Sequence, residues 1–543
     1  MPNNNFKNRI VYQIYPLSFK DSNNDGIGDL NGIISKLDYL KKLGVGYLWL
    51  SPIYASSFKD NGYDISDYYQ INKVFGSMED FENLIKEANK RNIDIIMDLV
   101  VNHTSSDHYW FQEALKDKNS KYRDYYYFRK GKGKRPPNNW NSSFSGSCWE
   151  KVPNEDNMYY LHLYTSDQPD LNYHNEEVIQ EVEKILKFYL DKGVKGFRCD
   201  VINQIYKTSL ANGKFRFFNR GKEHYESQEG NFKILERLRK EVLDKYDAFL
   251  VGETSNINPK IGNQFLKRRC LDMFFEFEHA FCDMNKIAPI FKRKFKPQML
   301  IKPLFKWQEE VSWIALYLEN HDQRRSINRY GNINEFYTSS AKALSMLLLS
   351  LKGTPFIYQG QEIGMCDYLD YSLSDLDDCL SKMALKSATS ILKISKERAF
   401  KLIHKTINRD NSRSPFQWDN SFNAGFNEGH KTWLKVNSSF QQGINVKEEE
   451  QDSDSILKFY QKMIHLRNSN KTLQTGEFIR IKSNRNIAKF YRKSEDETLL
   501  IVINLSKKII KDKRYNSNIL ISNYKDVSPK VLLPYQGVIY KIK

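Results

Sequence analysis

The chain has 543 residues, of which 40% are hydrophobic, 14% aromatic and 27% charged, a composition that excludes the disordered, collagen-like and membrane classes. Lysine and arginine exceed aspartate and glutamate by 83 to 66, giving a net charge of +17, but they are spread along the whole chain, so we expect no nucleic-acid or lipid partner. The start, MPNNNFKNRIVYQIYPLSF, lacks an apolar run after its basic residues, and no stretch approaches the roughly 18 apolar residues of a membrane span, which predicts neither secretion nor membrane insertion.

The strands predicted in the first 360 residues are short apolar runs, each followed by a polar loop and a helical pattern. They are Val11 to Phe19, Tyr47 to Tyr54, Ile93 to Val101, Val194 to Asp200, Ala248 to Glu253, Leu271 to Phe277, Ile314 to Asn320 and Thr354 to Gln359. Eight strands that alternate with helices predict a parallel sheet covered on both faces, and eight is the number at which such a sheet closes. We therefore predict an α/β fold, a (β/α)8 TIM barrel formed by 1–103 and 174–473.

Two further regions interrupt or follow this pattern. The segment 104–173, rich in Tyr, Trp, Asn, Ser and Gly, is too long for a βα loop and predicts a small inserted domain after strand three. After a helix at Ile456 to Arg467, short alternating runs predict a C-terminal antiparallel β domain, a β-sandwich over 474–543. Those runs are Phe478 to Ile481, Ala488 to Tyr491, Leu499 to Ile503 and Gly537 to Ile542.

The six cysteines stand at positions 148, 199, 270, 282, 366 and 379. They form neither a CxxC motif nor a zinc spacing. So few cysteines in so long a chain predict reduced thiols and a cytoplasmic protein.

Acidic residues end three of the predicted strands: Asp200, Glu253 and Asp322. Active sites of barrel enzymes lie at the carboxyl ends of the strands. One such acid alone is as easily a helix cap, but three of them, accompanied by histidine and arginine, predict a catalytic rim.

Arg198 and Asp200 are two residues apart on a strand and therefore face the same side. A neighbouring guanidinium lowers the pKa of a carboxyl group and keeps it ionised, as a nucleophile requires, although a structural ion pair is the alternative. Glu253 follows an apolar stretch, where burial is expected to raise its pKa and retain its proton. Two carboxyl groups with pKa values pushed apart are the arrangement that breaks glycosidic bonds.

At these residues the sequence resembles the α-amylase superfamily of glycoside hydrolases, and within it the α-glucosidase and oligo-1,6-glucosidase group. The matching stretches are DLVVNH (98–103), QPDLN (168–172), GFRCD (196–200), GE (252–253) and ENHD (319–322), flanked by QIYPLSF, DNGYDISDYY, KGTPFIYQG and RDNSRSPFQW. The resemblance covers nearly the whole chain. It implies a retaining, exo-acting α-glucosidase without an organic cofactor, which we expect to act as a monomer on small oligosaccharides.

The resemblance also implies roles for single residues. Asp200 is expected to be the nucleophile, Glu253 the acid and then the base, and Asp322 the carboxylate that holds the 2- and 3-hydroxyls of the sugar. Asp64 and Arg409 would enclose the non-reducing end, which makes the enzyme exo-acting. The residues expected to bind the glucose are Tyr63, by stacking, and Asp64, His103, Arg198, His321 and Arg409, by hydrogen bonds.

Val201 follows the nucleophile directly. In the group that the chain resembles, valine at this place accompanies α-1,6 cleavage and smaller residues accompany α-1,4 cleavage. We therefore expect terminal α-1,6-linked, isomaltose-type substrates. The alternative is that a β-branched residue merely suits the end of a strand.

Three residues depart from the family pattern: Cys199, where an aliphatic residue is usual, Arg324, where proline is usual, and Gln361, where glutamate is usual. Cys199 alternates with the inward-facing pair and is expected to face the helix layer as a small hydrophobe. Arg324 lies just beyond Asp322 and is expected to offer a new donor toward the acceptor sugar. Gln361 has no explanation in the sequence.

The segment DSNNDGIGD (21–29) places oxygen-bearing side chains two residues apart, as in a loop for a hard cation. Its twelfth position is Gly32 rather than glutamate, which excludes an EF-hand. The segment resembles the family's calcium loop, so we expect a structural Ca²⁺, although metal-free turns share this composition. The implied ligands are the side chains of Asp21, Asn23, Asp25 and Asp29 and the carbonyl of Ile27.

Other activities remain open. A phosphotrehalase, which hydrolyses trehalose 6-phosphate, would use the basic residues after strand four, although a solvated basic loop is the alternative; these residues are Lys214, Arg216, Arg220 and Lys222. A sucrose isomerase would use the same covalent intermediate. A non-catalytic, amylase-like binding subunit is a different class, and the presence of all three acids argues against it.

Overall fold

A computed structural model describes residues 4–144, 146–216, 219–285, 290–512 and 518–542. The strands are β1 (Val11–Ile14), β2 (Tyr47–Leu50), β3 (Tyr54–Ser56), β4 (Ile65–Ile71), β5 (Asp94–Leu99), β6 (Phe128–Lys130), β7 (Trp149–Lys151), β8 (Met158–Leu161), β9 (Gly196–Cys199), β10 (Phe249–Glu253), β11 (Met273–Phe275), β12 (Ala315–Leu316), β13 (Thr354–Tyr358), β14 (Glu477–Arg480), β15 (Ile487–Lys493), β16 (Thr498–Asn504), β17 (Ile510–Lys511), β18 (Asn518–Ser522), β19 (Val531–Leu532) and β20 (Gly537–Lys541).

The α-helices are α1 (Leu30–Ser35), α2 (Leu37–Leu43), α3 (Met78–Asn89), α4 (Tyr109–Lys116), α5 (Glu176–Asp191), α6 (Glu229–Leu238), α7 (Asp244–Tyr246), α8 (Pro259–Lys267), α9 (Pro297–Glu310), α10 (Ser326–Tyr330), α11 (Tyr337–Ser350), α12 (Cys379–Ser390), α13 (Lys396–His404), α14 (Asp410–Arg413), α15 (Val446–Gln451), α16 (Ile456–Ser469) and α17 (Lys471–Thr475). Among the described residues, no helix has both the length and the apolar character needed to cross a membrane.

Eight strands form one sheet in the order β11-β10-β9-β5-β2-β1-β13-β12. The first of them, β1, pairs in parallel with the last, β13, and Val11 lies opposite Phe356, as a closed barrel requires. Every residue of β1, β2 and β13 is buried, because helices cover the outer face of such a barrel and the inward side chains of the strands fill its interior. Each strand lies inside one of the eight predicted runs, so the predicted eight-stranded barrel is confirmed.

The described residues divide into two compact units. The first comprises Trp49–Lys86 and Asp94–Phe275 and contains β5, β9, β10 and β11. Its strands pair in parallel, and Cys199 lies opposite both Leu99 and Gly252. This register brings the ends of β5, β9 and β10 to one edge, where the functional side chains begin.

The inserted segment lies within this first unit. Strands β6, β8 and β7 form a small antiparallel sheet, and its aromatic residues are buried together in a core that includes Trp140, Trp149 and Tyr159. The aromatic richness that marks the segment in the sequence is therefore used for packing. The domain boundaries proposed from the sequence stay predictions.

The second unit comprises Asn4–Leu48, Glu87–Ile93 and Glu276–Lys543, in which the ranges given above are described. It contains β1, β12 and β13 and a C-terminal antiparallel sheet in the order β14-β15-β16-β20-β18. Two buried arginines stabilise the end of α11: Arg467 donates to the carbonyls of Leu349 and Leu351, and Arg492 donates to that of Ser350. Cationic groups at a helix C-terminus satisfy its last carbonyls and complement its dipole.

Candidate active site

A cluster of buried charged groups surrounds Arg198 in the first unit. The guanidinium Nη1 lies 2.8 Å from Asp98 and 2.6 Å from Asp200, and Nη2 lies 2.5 Å from Glu253. The side chains of Arg198 and Asp98 are 2% and 0% exposed, and those of Asp200 and Glu253 are 10% and 14% exposed. Only the two carboxyl groups that sequence reasoning assigned to bond cleavage therefore remain open to a ligand.

The strand register explains why these two carboxyl groups meet. Cys199 and Gly252 are paired across β9 and β10, so the residues that follow them, Asp200 and Glu253, lie at the same level of the two strands. Asp200 follows the last residue of β9, and Glu253 is the last residue of β10. Adjacent parallel strands thus deliver two acids, far apart in sequence, to one guanidinium.

Burial raises the pKa of Asp200 to about 6, and the adjacent Asp98 charge adds to this, whereas Arg198 lowers it. The expectation that Arg198 would set the pKa below its ordinary value was wrong in its net direction, because the cost of burying the charge exceeds the attraction of the guanidinium. At neutral pH the Asp200 carboxyl is still mostly ionised, as a nucleophile requires.

Asp98 is a member of the cluster that was not singled out in the sequence. Burial raises its pKa to about 6, against the opposing effect of Arg198. Its Oδ2 accepts hydrogen bonds from the Tyr63 hydroxyl at 3.0 Å and from the Trp49 indole at 3.3 Å. Its place in β5, the strand next to β9, is the signal that would have revealed it, since Asp98 lies opposite Arg198 in the sheet.

Val201 has a left-handed backbone, with φ 36° and ψ 36°. A β-branched residue at positive φ is strained, and nothing in the sequence indicates it. The conformation turns the Val201 N–H toward Glu253, whose Oε2 accepts it at 3.2 Å. The side chain next to Asp200 is therefore held by an unusual backbone, and it is buried.

Three residues expected to bind a sugar lie together in the first unit. The ring of His103 is 3.2 Å from the Tyr63 carbonyl, and burial lowers its pKa, so it is neutral. One Asp64 oxygen accepts from the Ser56 hydroxyl and the Asp60 N–H. The other, Oδ2, is buried and has no hydrogen-bond partner in the described part of the chain, which suits an acceptor for a ligand hydroxyl.

A second cluster, in the second unit, is built on Asp322. Its Oδ1 accepts from Arg413 at 2.8 Å and from Arg409 at 3.2 Å, and its Oδ2 lies 3.2 Å from His321 Nε2. The Asp322 side chain is 33% exposed and can reach a ligand. Three residues predicted from the sequence are thus brought together here, and Arg413, in the quoted stretch RDNSRSPFQW, completes the cluster without having been predicted.

The partners of this cluster are fixed in turn by buried groups. Arg409 Nε donates to Asp378 at 2.7 Å, and His321 Nδ1 lies 2.7 Å from the side-chain nitrogen of Gln13. Burial raises the pKa of Asp378, but Arg409 and Arg413 outweigh it, so the net direction is downward. Asp378 therefore stays ionised and orients Arg409.

The structure corrects the expectation for Arg324. Its guanidinium bonds to the Asp367 carboxylate and the Lys405 carbonyl, and it is buried with Asp367. It is thus committed to an internal ion pair and is not a donor toward an acceptor sugar. Cys199 is fully buried as expected, and Gln361 accepts from the Tyr358 N–H at 3.3 Å.

The proposed cation loop is a series of turns closed by its own side chains. Asp21, Asn23 and Asp25 each accept the backbone N–H two residues on, and Asp29 caps α1 through the Gly32 N–H. No three carboxylate, histidine or cysteine side chains converge as metal ligands among the described residues. The donor set is oxygen only, which fits a hard cation in chemistry, and Ca²⁺ remains a prediction.

Paired carboxyl groups at the ends of adjacent barrel strands, one guanidinium between them and a neutral histidine nearby, define a site of the glycosidase type. A family model described as "Alpha amylase, catalytic domain" matches residues 13–476. The chain is 42% identical to an oligo-1,6-glucosidase of Heyndrickxia coagulans, over 99% of each chain. The chain therefore belongs to the α-amylase family of glycoside hydrolases, as the sequence motifs predict.

Solved structures agree with this assignment. A trehalose-6-phosphate hydrolase of Bacillus licheniformis has a TM-score of 0.94 at 38% identity, covering 99% of this chain and 100% of that one. An isomaltulose synthase of Protaminobacter rubrum has a TM-score of 0.95 at 34% identity, covering 100% of both. The predicted barrel with an inserted region and a C-terminal antiparallel sheet is confirmed.

Proposed function

We propose that the protein is a retaining, exo-acting α-glucosidase that hydrolyses terminal α-1,6-linked glucosides. The observation that carries this proposal is the guanidinium of Arg198, which bonds to both Asp200 and Glu253 and so holds next to each other the two carboxyl groups that a double displacement needs. The 42% identity to an oligo-1,6-glucosidase over nearly the whole of both chains supports the linkage, as does the buried Val201 beside the nucleophile.

The reaction proceeds in two displacements. The ionised Asp200 attacks the anomeric carbon while Glu253 gives its proton to the glycosidic oxygen, so that the bond to the leaving sugar breaks and a glucosyl ester forms. Glu253, now a carboxylate, takes a proton from water, and the hydroxide attacks the same carbon and releases Asp200. Asp322 is proposed to hold the 2- and 3-hydroxyls of the sugar, and Arg409 to bond the hydroxyls of its non-reducing end.

Trehalose 6-phosphate is the second candidate substrate, because a trehalose-6-phosphate hydrolase has a TM-score of 0.94 with this chain. Two of the four basic residues of the loop that would receive the phosphate are paired with carboxylates. Arg216 is paired with Glu223, and Lys222 lies 3.4 Å from Glu226. A phosphate would have to compete with both carboxylates, so the loop supports a structural role.

A panel of glucosides tests the proposal. The protein should release glucose from isomaltose with a higher kcat/KM than from maltose or trehalose 6-phosphate, and from sucrose it should yield no isomaltulose. As a control, Arg216→Gln should leave the kcat/KM for isomaltose unchanged. Preferential hydrolysis of trehalose 6-phosphate, abolished by Arg216→Gln, would make the phosphotrehalase the right assignment.

The remaining expectations are proposals as well. We propose a structural Ca²⁺ in the loop 21–29, which would tie the first βα connection together through oxygen ligands. We also propose a cytoplasmic monomer, supported by the buried thiols of Cys148, Cys199, Cys270 and Cys366. Light scattering on the purified protein measures the oligomeric state directly.

A further inference from the structure

The turn that follows Asp200 is connected to the segment that follows Glu253 by one buried side chain, Asn203. Its Nδ2 donates to the Ser255 carbonyl at 2.9 Å, and its Oδ1 accepts the Ser255 N–H at 3.2 Å. The same Nδ2 is 3.1 Å from the Ser227 hydroxyl, and Asn203 is fully buried. A side-chain amide both donates and accepts, so it can bond both the N–H and the carbonyl of one residue, which a carboxylate cannot do.

This connection lies beyond the end of the strand ladder. The pairing of β9 with β10 ends at Cys199 and Gly252. Asp200 is still bonded to β5 and Glu253 is still paired with β11, but the ladder between β9 and β10 does not extend to the two acids. The pair of bonds between Asn203 and Ser255 replaces the ladder at this level. It therefore sets how the nucleophile's turn lies against the acid's segment.

The bonds between Asn203 and Ser255 hold in place the strained backbone of Val201. A left-handed β-branched residue persists only where its surroundings over-determine it. The Val201 carbonyl accepts the Gln204 N–H at 2.9 Å, and the Asn203 carbonyl accepts the N–H of Ser227 at 2.7 Å. With Asn203 anchored in this way, the Val201 N–H is held against Glu253 Oε2.

We propose that Asn203 is a positioning residue that holds the Val201 N–H on the Glu253 carboxyl group and so sets the acid strength of Glu253 during bond cleavage. The proposal rests on the proposed function, since it assigns Glu253 as the acid. A donated N–H favours the ionised carboxylate. Loss of the anchor should therefore let Glu253 keep its proton to higher pH and transfer it less readily to a poor leaving group.

Asn231 supplies a matched control. It is equally buried and binds the same turn, donating to the Ile202 carbonyl at 2.7 Å and accepting the Tyr206 N–H at 3.3 Å. It holds that turn without the pair of bonds to the segment after Glu253 that Asn203 makes. A merely structural effect should therefore be the same for Asn203 and Asn231.

The test compares Asn203→Ala and Asn231→Ala on isomaltose and on α-glucosyl fluoride, whose fluoride leaves without protonation. For Asn203→Ala we expect kcat/KM for isomaltose to fall by at least about tenfold, with a smaller loss on the fluoride, and the alkaline limb of the pH profile to move to higher pH. Asn231→Ala should affect both substrates equally and leave the limb in place. Melting temperatures of both variants report the structural cost.

Equal losses on both substrates, or an unmoved alkaline limb for Asn203→Ala, would overturn the proposal. If Asn203→Ala does not fold, Asn203→Ser is read by the same two criteria. Failure of the proposed function is distinguishable, because the unmodified protein would then not hydrolyse isomaltose.

Discussion

The competition between burial and charge at Asp200 has a measurable consequence. Burial brings the pKa of this carboxyl to about 6 in spite of Arg198, and only the ionised form can attack the sugar. Activity should therefore be lost as the pH falls through about 6. The acid limb of kcat/KM with p-nitrophenyl α-glucoside measures this, and an acid limb near the ordinary aspartate value of about 4 would contradict it.

The substitution Asp98→Asn tests the same account of the acid limb. Its charge raises the pKa of Asp200, and in Asp98→Asn the guanidinium of Arg198 would be shared by one carboxylate fewer. The acid limb should then move to lower pH. An acid limb that moves to higher pH would mean that Asp98 acts on Asp200 only by holding Arg198 in place.

Linkage preference is expected to depend on Val201. Removing its two methyl groups in Val201→Ala widens the space beside the nucleophile, and a change of this size in an apolar pocket is worth roughly tenfold in discrimination. The ratio of kcat/KM for maltose to that for isomaltose should rise accordingly. Val201→Thr keeps the branched shape and is the control for side-chain size. An unchanged ratio of maltose to isomaltose cleavage in Val201→Ala would mean that other residues set the linkage preference.

Arg324 is expected to matter for stability and not for substrate choice. Arg324→Ala leaves the buried Asp367 without its guanidinium, and breaking a buried pair costs about 3 to 5 kcal/mol. Lys382→Ala, which removes an exposed pair with Asp377, should cost about 0 to 1 kcal/mol. Chemical denaturation measures both, and a changed product pattern at unchanged stability of Arg324→Ala would restore its role at the acceptor sugar.

The elements themselves were predicted well because they obey simple patterns. All eight barrel strands lie inside apolar runs, and the four alternating runs of the C-terminal region overlap β14, β15, β16 and β20. The edge strand β18 was not predicted, because none of its five residues is buried and its pairing with β20 contains an irregularity. A weak alternation leaves little signal in the sequence.

The candidate site contains contacts that sequence patterns do not predict. Asp200, Glu253 and Asp322 stand at strand ends and can be found there, but Arg413 lies on the short helix α14 and meets Asp322 only through the fold. The left-handed backbone of Val201 is likewise invisible in the sequence, because it depends on hydrogen bonds from distant segments. Direct neighbours along a strand are predictable, and partners across the fold are not.

The loop 21–29 gives a prediction for a whole structural element. If it binds Ca²⁺, chelation with EDTA should lower the melting temperature by several degrees, because the ion binds only the folded state. Activity at room temperature should change less. Asp25→Ala removes one ligand from an exposed position and should abolish the effect of EDTA, whereas a melting temperature indifferent to EDTA in the unmodified protein means that the loop holds no metal.

For the whole molecule, the fold explains how a chain of 543 residues assembles a small catalytic centre. Parallel strands end at a common edge, so acids that are distant in sequence meet on Arg198 while the strands behind them stay buried. The central claim of the proposed mechanism is that Asp200, and not Glu253, is the carboxyl group of this pair that bonds to the sugar.

Covalent labelling tests that claim directly. Incubation with 5-fluoro-α-D-glucosyl fluoride should slow the second displacement and leave one fluoroglucosyl group on the protein. Mass spectrometry of the digested protein should place the added mass on the peptide that contains Asp200, and Asp200→Asn should not be labelled. A label on another residue, or turnover by a covalent path in Asp200→Asn, would contradict the account.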